Sequence, residues 1–168
     1  DGLVAYYPFD GDAKDASGYE NNGEVSGAIL GDDRHGNSNS AYEFEQSDYI
    51  NVPPSDSLNQ NGPHSISLWV KINKWPSDDK THSIFAKGSG RQVIQIMATD
   101  WGDSQELTFR RLEMNWDGTL SVTPFSELQE AEYMHLACSY DGEKYTTFIN
   151  GEFENNLVPP VNSNAYNQ

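Results

Sequence analysis

Short runs of alternating apolar and polar residues, separated by turn-forming residues, dominate this chain and limit it to β-structure. The clearest run is 65–72, where Ile66, Leu68 and Val70 occupy every second position. Such alternation sends successive side chains to opposite faces of a strand. Helical periodicity is scarce, so we predict an all-β fold in which two antiparallel sheets pack as a sandwich.

The same reading predicts strands along most of the chain. Their ranges are 3–9, 24–30, 41–45, 49–52, 65–72, 83–86, 92–98, 107–114, 119–123, 133–140 and 145–149. The predicted loops between them include 46–48, 75–79 and 87–90. Asp117-Gly118 and Asp141-Gly142 are strong hairpin signals, and we predict turns at both. The strands on either side of 46–48 are predicted to pair with each other.

Length and charge restrict the domain count and the class of partner. The 168 residues suit one domain over 1–168. The formal net charge is −16, from 26 acidic and 10 basic residues. Nucleic acid and anionic membranes require a basic surface, so both are disfavoured as partners. Cations, neutral sugars and basic proteins remain compatible with this charge.

The remaining sequence-wide signals concern processing and the single cysteine. Cys138 cannot form an intrachain disulfide, and its apolar surroundings predict a buried thiol. No apolar run is long enough for a membrane span, so direct membrane insertion is not expected. The chain begins at a predicted strand without Met, which favours a processed fragment.

The acidic loop after the first predicted strand is a candidate metal site. Its oxygen-bearing side chains are Asp10, Asp12, Asp15, Asn21 and Asn22. Carboxylate and amide oxygens are the ligands that Ca²⁺ takes, and a shared cation would relieve the repulsion between the carboxylates. The alternative is plain turn chemistry, because Asp-Gly and Asn-Gly form turns without any metal.

Tryptophan and arginine side chains are candidates for a ligand-binding surface. Trp69 projects on the polar side of its strand, whereas Trp101 and Trp116 lie at strand ends, with Arg110 on the intervening strand. Aromatic faces stack on apolar sugar rings while polar groups satisfy the hydroxyls. The alternative is that each tryptophan covers a sheet face or an end of the sandwich.

Several segments together resemble the concanavalin A-like lectin/glucanase superfamily, and within it the laminin G-like domains of bacterial surface and secreted proteins. In chain order they read YYPFDGDAKDASGYENNG, DRHGNSNSAYEFEQSDYINVP, SISLWVKI, IFAKGSG, EYMHLACSYDG and YTTFINGEF. The resemblance rests on their order and spacing over roughly 1–155. It implies a jelly-roll sandwich, which agrees with the strand pattern.

The resemblance also implies a function. Such domains often contain a structural Ca²⁺, which favours calcium at the acidic loop. They suggest a non-catalytic module that binds carbohydrate or a cell-surface protein outside the cell or at its surface. The alternative is a protein–protein adhesion domain without sugar affinity. A glycoside hydrolase is disfavoured, because the only comparable acid pair is Glu43 and Glu45 and no third acid follows in register.

Two departures from the family pattern matter. Tyr133 stands where the family usually has Trp, so an aromatic residue is retained. Family domains also usually continue past the Asn150-Gly151 turn into two further strands, whereas this chain ends in a polar tail. We therefore expect its last strands to be missing. The resulting unpaired edge would favour association with another chain.

Overall fold

The computed structural model describes residues 2–45, 47–59, 62–77, 80–89, 92–101, 104–113 and 116–158. At strand positions 89, 92, 93, 101, 104, 112, 113 and 116–121 it describes the backbone alone. The backbone forms two compact units, residues 1–61 and 62–168. The single domain over 1–168 stays a prediction.

In the part of the first unit that the structure describes, four short strands form two separate pairs. β1 (Glu24–Ser26) pairs with β4 (Tyr49–Asn51), and β2 (Ile29–Gly31) pairs with β3 (Ala41–Glu43). All four strands have three residues, and both pairings are antiparallel. The predicted hairpin between 41–45 and 49–52 is therefore wrong, because each partner strand pairs with an earlier segment instead.

Two further strand predictions in this unit are corrected. The predicted strand 3–9 is absent, because its backbone groups bond to the following loop: the Tyr6 N–H donates to Asp15 and the Tyr6 carbonyl accepts from Ala16. Phe9 also has a positive φ of 57°, which lies outside the extended region of strand residues. The predicted strand 24–30 is interrupted at Gly27, whose φ of 83° reverses the chain locally.

The described residues of the second unit form two antiparallel four-stranded sheets. The first has the order β12-β11-β10-β5 and the second the order β6-β7-β8-β9. The strands are β5 (His64–Lys71), β6 (Thr81–Ser89), β7 (Gln92–Trp101), β8 (Ser104–Glu113), β9 (Trp116–Pro124), β10 (Tyr133–Tyr140), β11 (Tyr145–Ile149) and β12 (Glu152–Leu157). A 3₁₀ turn, Phe125–Glu127, follows β9. The predicted all-β fold of packed antiparallel sheets is confirmed.

The apolar core of this unit lies between its two sheets. One sheet contributes Ile96, Leu107 and Phe109, each 1% exposed or less. The facing sheet contributes Met134, Leu136, Cys138, Tyr145 and Ile149. These are alternate residues of their strands, so the sequence alternation directly produces the buried layer. Burial also raises the pKa of the Cys138 thiol to about 11, which keeps it protonated and agrees with the predicted buried cysteine.

The predicted turns of this unit have mixed outcomes. The turn at Asp141-Gly142 is confirmed, since it joins β10 to β11. The turn at Asp117-Gly118 is wrong, because Gly118 pairs with Arg111 inside β9. There the ladder hydrogen bonds of the extended β8–β9 pair prevail over local turn preference. Other predicted features include Gln46, Asp78, Asp79, Gly90 and the tail from 159 to 168, and these lie outside the described residues.

We expect Leu136→Ala to destabilise the second unit strongly. Leu136 has no exposed surface and lies at the centre of β10 in the core. Losing its side chain leaves a cavity that costs about 2–5 kcal/mol of unfolding free energy. Denaturant titration measures this loss. The control Val122→Ala removes a side chain that is 42% exposed, and it should cost much less. Equal losses for the two variants would contradict this assignment of the core.

Candidate functional site

The acidic loop of the first unit closes around the carboxylate of Asp15. Its Oδ1 accepts hydrogen bonds from the backbone N–H groups of Tyr6 (2.9 Å) and Ser17 (2.8 Å). Its Oδ2 accepts from the Ser17 hydroxyl (2.8 Å) and the backbone N–H of Asn21 (3.0 Å). An ionised carboxylate has about four acceptor sites, so these four bonds use its capacity.

The side chains of the two predicted asparagine ligands are also engaged within the protein. Asn22 Oδ1 accepts from the backbone N–H of Asp15 (3.0 Å). Asn21 is 4% exposed, and its amide nitrogen donates to the Ser57 hydroxyl (2.9 Å) while its Oδ1 accepts from the Ser55 hydroxyl. Both amides therefore connect the loop to itself or to residues 55–57.

The other two predicted calcium ligands are exposed and lie apart from this network of bonds. Asp12 accepts from the Lys14 backbone N–H and forms an ion pair with Lys14 Nζ, both at 3.0 Å. Asp10 is exposed. Within the described residues, no group of three or more His, Cys, Asp or Glu side chains is arranged to bind a metal. The oxygens of Asp15 and Asn22 already accept hydrogen bonds within the loop, and calcium binding by the five predicted residues stays a prediction.

The bonds to Asp15 change its ionisation. Partial burial raises the pKa of the carboxyl group, but the donors on Ser17, Tyr6 and Asn21 outweigh it and hold the pKa below its ordinary value. A lowered folded pKa means that the carboxylate stabilises the fold above the unfolded pKa of about 3.9. That stabilisation is lost as the pH falls through the folded pKa.

A second candidate site is the outer face of the sheet β12-β11-β10-β5. Along β5 and β10 one set of alternate residues is buried in the core, and the other set faces away from it. We call this second set, together with its neighbours on β11 and β12, the outer aromatic face. Its aromatic members are Trp69, Tyr133, His135, Phe148 and Phe153. Trp69 is 48% exposed and Phe153 is 58% exposed.

Contacts between β5 and β10 fix the rings of this face in position. Trp69 lies directly opposite His135 in the strand register, with ring centroids 5.0 Å apart. His135 Nε2 lies 2.7 Å from the Ser67 hydroxyl, a hydrogen bond. The Lys71 ammonium lies 5.2 Å from the Tyr133 ring centroid, within cation–π range. Trp69 is therefore an exposed ring on a preformed support.

The face extends across all four strands. Phe148 on β11 lies opposite Ala137 on one side and Phe153 on the other, and the two phenyl rings are 6.4 Å apart in an edge-to-face arrangement. With strands about 4.8 Å apart, the distance from β12 to β5 is about 14 Å. The outer aromatic face is therefore a shallow surface of aromatic rings, and the side of the rings that points away from the core is open.

A polar hollow borders the outer aromatic face beside Tyr133. Its volume is about 260 Å³. The lining residues are Glu127, Leu128, Gln129, Glu132, Tyr133, Met134 and Asn150. Carboxylate and amide groups beside an aromatic ring can form hydrogen bonds to a polar ligand whose apolar side rests on the ring.

The other predicted ligand residues lie on the opposite sheet, where Trp101 is far from Arg110. Trp101 pairs with Ser104 at one end of β7, whereas Arg110 pairs with Gln95. Six positions along β7 separate these pairs, which is about 20 Å. Trp116 is at the beginning of β9. The structure therefore does not bring the four predicted residues Trp69, Trp101, Trp116 and Arg110 into one site.

Sequence reasoning missed most of the outer aromatic face. His135 and Phe148 occupy the outward positions of strands that were correctly predicted, so their alternation was the available signal. Phe153 lies on β12, which the sequence did not predict. Asn150 and Gly151 before it both have positive φ, of 52° and 82°, as a tight two-residue hairpin requires.

Comparison with protein families identifies the class. The family model Laminin_G_3, of the concanavalin A-like lectin/glucanases superfamily, matches residues 44–168, which is more than half of the chain. The chain therefore belongs to this family. No curated protein matches it. The described residues include no helix long and apolar enough to cross a membrane.

Two solved structures are similar in fold. One is the binding domain of Paraclostridial Mosquitocidal Protein 1, at 21% identity and a TM-score of 0.63, over 86% of this chain. This chain spans only 37% of that protein. The other is domain 4 of AbnA, a GH43 extracellular arabinanase from Geobacillus stearothermophilus, in complex with arabinotriose. It is 20% identical with a TM-score of 0.59, and the match covers 93% of this chain and 75% of that one.

We expect Asp15→Ala to open the acidic loop. The substitution leaves the N–H groups of Tyr6, Ser17 and Asn21 without their acceptor, which costs about 1–3 kcal/mol locally. Hydrogen exchange of these three amides should accelerate at neutral pH. In the parent protein the same amides should lose protection as the pH falls below 4, as the lowered pKa of Asp15 requires.

The matched control is Asp10→Ala, which removes an exposed carboxylate from the same loop. It should leave the exchange of those amides unchanged. Equal effects of the two variants would show that general loop charge, rather than the bonds to Asp15, closes the loop.

Proposed function

We propose that this protein is a non-catalytic carbohydrate-binding module that acts outside the cell or at its surface, and that the outer aromatic face is its binding surface. The observation that carries this proposal is Trp69, an exposed tryptophan supported by His135 on a sheet face that the core does not use. Large exposed aromatic side chains grouped on one surface are typical of binding sites.

The chemistry of the face suits a sugar chain. Its rings offer apolar stacking surfaces, whereas Ser67, Lys71 and the hollow beside Tyr133 offer hydrogen-bonding groups. Sugars present the same combination, an apolar ring face edged with hydroxyls. The similar AbnA domain was solved with arabinotriose, which supports a neutral oligosaccharide as the ligand class. A net charge of −16 is compatible with a neutral ligand.

The second candidate function is a protein–protein adhesion module without sugar affinity. It is favoured by the strand edges: within the described residues, β5 and β12 each pair on one side only. An unpaired edge is a template for another chain. The similar mosquitocidal protein domain is also described as a binding domain. A cell-surface protein would then be the partner.

Hydrolysis is the least favoured function. Glu43 ends β3, and Glu45 lies beyond that strand. The two carboxylates therefore do not share one strand face, because the strand does not extend to Glu45. Hydrolysis of a glycosidic bond needs two carboxyl groups at a defined spacing across the scissile bond. Release of reducing sugar from arabinan would show that the protein is an enzyme after all.

We expect Trp69→Ala to weaken glycan binding by about two- to tenfold, because ring stacking contributes about 0.5–1.5 kcal/mol. Calorimetric titration with arabinotriose, followed by a glycan array if that sugar does not bind, measures the loss. Thermal unfolding should change little, since the ring faces away from the core.

The matched control is Tyr49→Ala, which removes an exposed aromatic ring from the first unit. Its affinity should equal that of the parent. Unchanged affinity in the Trp69 variant would show that the glycan site lies elsewhere. If the protein binds no glycan on the array, the adhesion module is favoured instead.

Calcium at the acidic loop stays a prediction. Melting scans after EDTA treatment, with and without added CaCl₂, test it directly. A calcium ion that closes the loop would raise the melting temperature through binding to the folded state. If the hydrogen bonds to Asp15 alone close the loop, neither EDTA nor CaCl₂ changes the melting temperature. We expect this second result, because both carboxylate oxygens of Asp15 already accept hydrogen bonds.

A further inference from the structure

The rings at the centre of the outer aromatic face form two separate pairs. Trp69 and His135, which we call the Trp69 pair, have ring centroids 5.0 Å apart. Phe148 and Phe153, which we call the Phe148 pair, have ring centroids 6.4 Å apart. In the strand register Phe148 lies opposite Ala137, which is two positions along β10 from His135. Trp69 and Phe148 are therefore two strands and two residues apart, which is about 12 Å between their backbone positions.

Small side chains lie between the two pairs. A straight line from Trp69 to Phe148 crosses β10 between His135 and Ala137. Ser67 lies opposite Ala137 in the register, and its hydroxyl is 2.7 Å from His135 Nε2. Ala137 and Ser67 therefore leave a shallow gap between the ring pairs, with a hydroxyl group at one side of it.

Hydrogen bonds hold the two pairs at this spacing. The His135 N–H donates to Asn150 Oδ1 at 2.9 Å, and the Asn150 N–H donates to the His135 carbonyl oxygen at 2.8 Å. These bonds attach the turn between β11 and β12 to β10, and those two strands carry Phe148 and Phe153. A ligand therefore meets both ring pairs already in place, so little ordering is needed when it binds.

The charge of this face differs from that of the whole chain. The chain has 26 acidic residues, yet none stands at the outward positions of these four strands, all of which the structure describes. Those positions are 65, 67, 69, 71, 133, 135, 137, 139, 146, 148, 153 and 156. The register of β12 skips Glu154, whose Oε2 instead accepts from the Thr123 hydroxyl of β9 at 3.0 Å. The face suits a neutral ligand, whereas the net charge of −16 disfavours an anionic one.

We propose that the outer aromatic face binds a neutral sugar chain of at least three residues, which crosses the strands diagonally from Trp69 past Ala137 to the Phe148 pair. This inference rests on the proposed function and names the ligand class of the same site. One sugar ring covers about one aromatic ring, so a single ring cannot stack on both pairs. Neighbouring rings of a sugar chain lie about one ring width apart, so a third sugar must bridge the gap of about 12 Å.

Calorimetric titration of the whole chain with sugars of different length and charge tests this inference. The probes are arabinose with arabinotriose, glucose with cellotriose, and the anionic trigalacturonate. At least one neutral trisaccharide should bind about two- to tenfold more tightly than its monosaccharide, because a second stacking contact forms. It should also bind more tightly than trigalacturonate. Equal affinity for the monosaccharide, tighter binding of trigalacturonate, or no binding of either neutral trisaccharide would overturn the proposal.

The variant Ala137→Leu places a bulky side chain in the gap between the ring pairs. It should lower the affinity for the bound trisaccharide to about that for its monosaccharide, which stacks on Trp69 alone. The matched control Ala86→Leu makes the same change at an exposed position on β6, in the opposite sheet, and should keep the parent affinities.

A second variant keeps the test valid if Ala137→Leu lowers the melting temperature. Phe153→Ala removes a ring that is 58% exposed, so the fold should stay intact. It should weaken trisaccharide binding and leave monosaccharide binding unchanged. Unchanged trisaccharide affinity in both variants would overturn the proposal.

Failure of this inference can be distinguished from failure of the proposed function. A protein that binds a monosaccharide through Trp69 as tightly as a trisaccharide is still a carbohydrate-binding module, but its site holds one ring. A protein that binds no glycan on the array removes both the proposed function and this inference.

Discussion

The pairing of β5 with β10 is the interaction on which the second unit depends. All eight residues of β5 pair in continuous register with β10, from His64 opposite Tyr140 to Lys71 opposite Tyr133. A shift of β5 by one residue would move Leu68 from the core to solvent and Trp69 from solvent to the core. One register therefore determines both the buried layer and the outer aromatic face.

Sequence alternation predicted this pair well and predicted the first unit poorly. Strands 65–72 and 133–140 were found within one residue because one side of each is buried, which makes the pattern clear. The segment 3–9 also looks like a strand, but the Tyr6 N–H group that a ladder would need donates to Asp15. A side-chain acceptor nine residues away leaves no periodic signal, so local pattern could not reveal it.

The candidate site was predictable only in part for the same reason. The outward position of Trp69 followed from its strand. The contact of His135 with Trp69 could not be predicted from local sequence. It depends on the strand register, which pairs two residues that are 66 positions apart in the chain. The predicted grouping of Trp101 with Arg110 failed because strand length, not sequence proximity, sets distance along a sheet: both strands extend for 10 residues. Long strands separate residues that are neighbours in the sequence.

The alternation in β5 and β10 also separates the residues that the core constrains from the residues that are free to change. Inward positions such as Leu136 are constrained by packing, whereas outward positions such as Ser65, Ser67 and Ala137 contribute little to the core. Changes at outward positions can therefore alter what the module recognises without a stability penalty that must be compensated elsewhere. Such a sheet can acquire a new ligand while its fold stays constant.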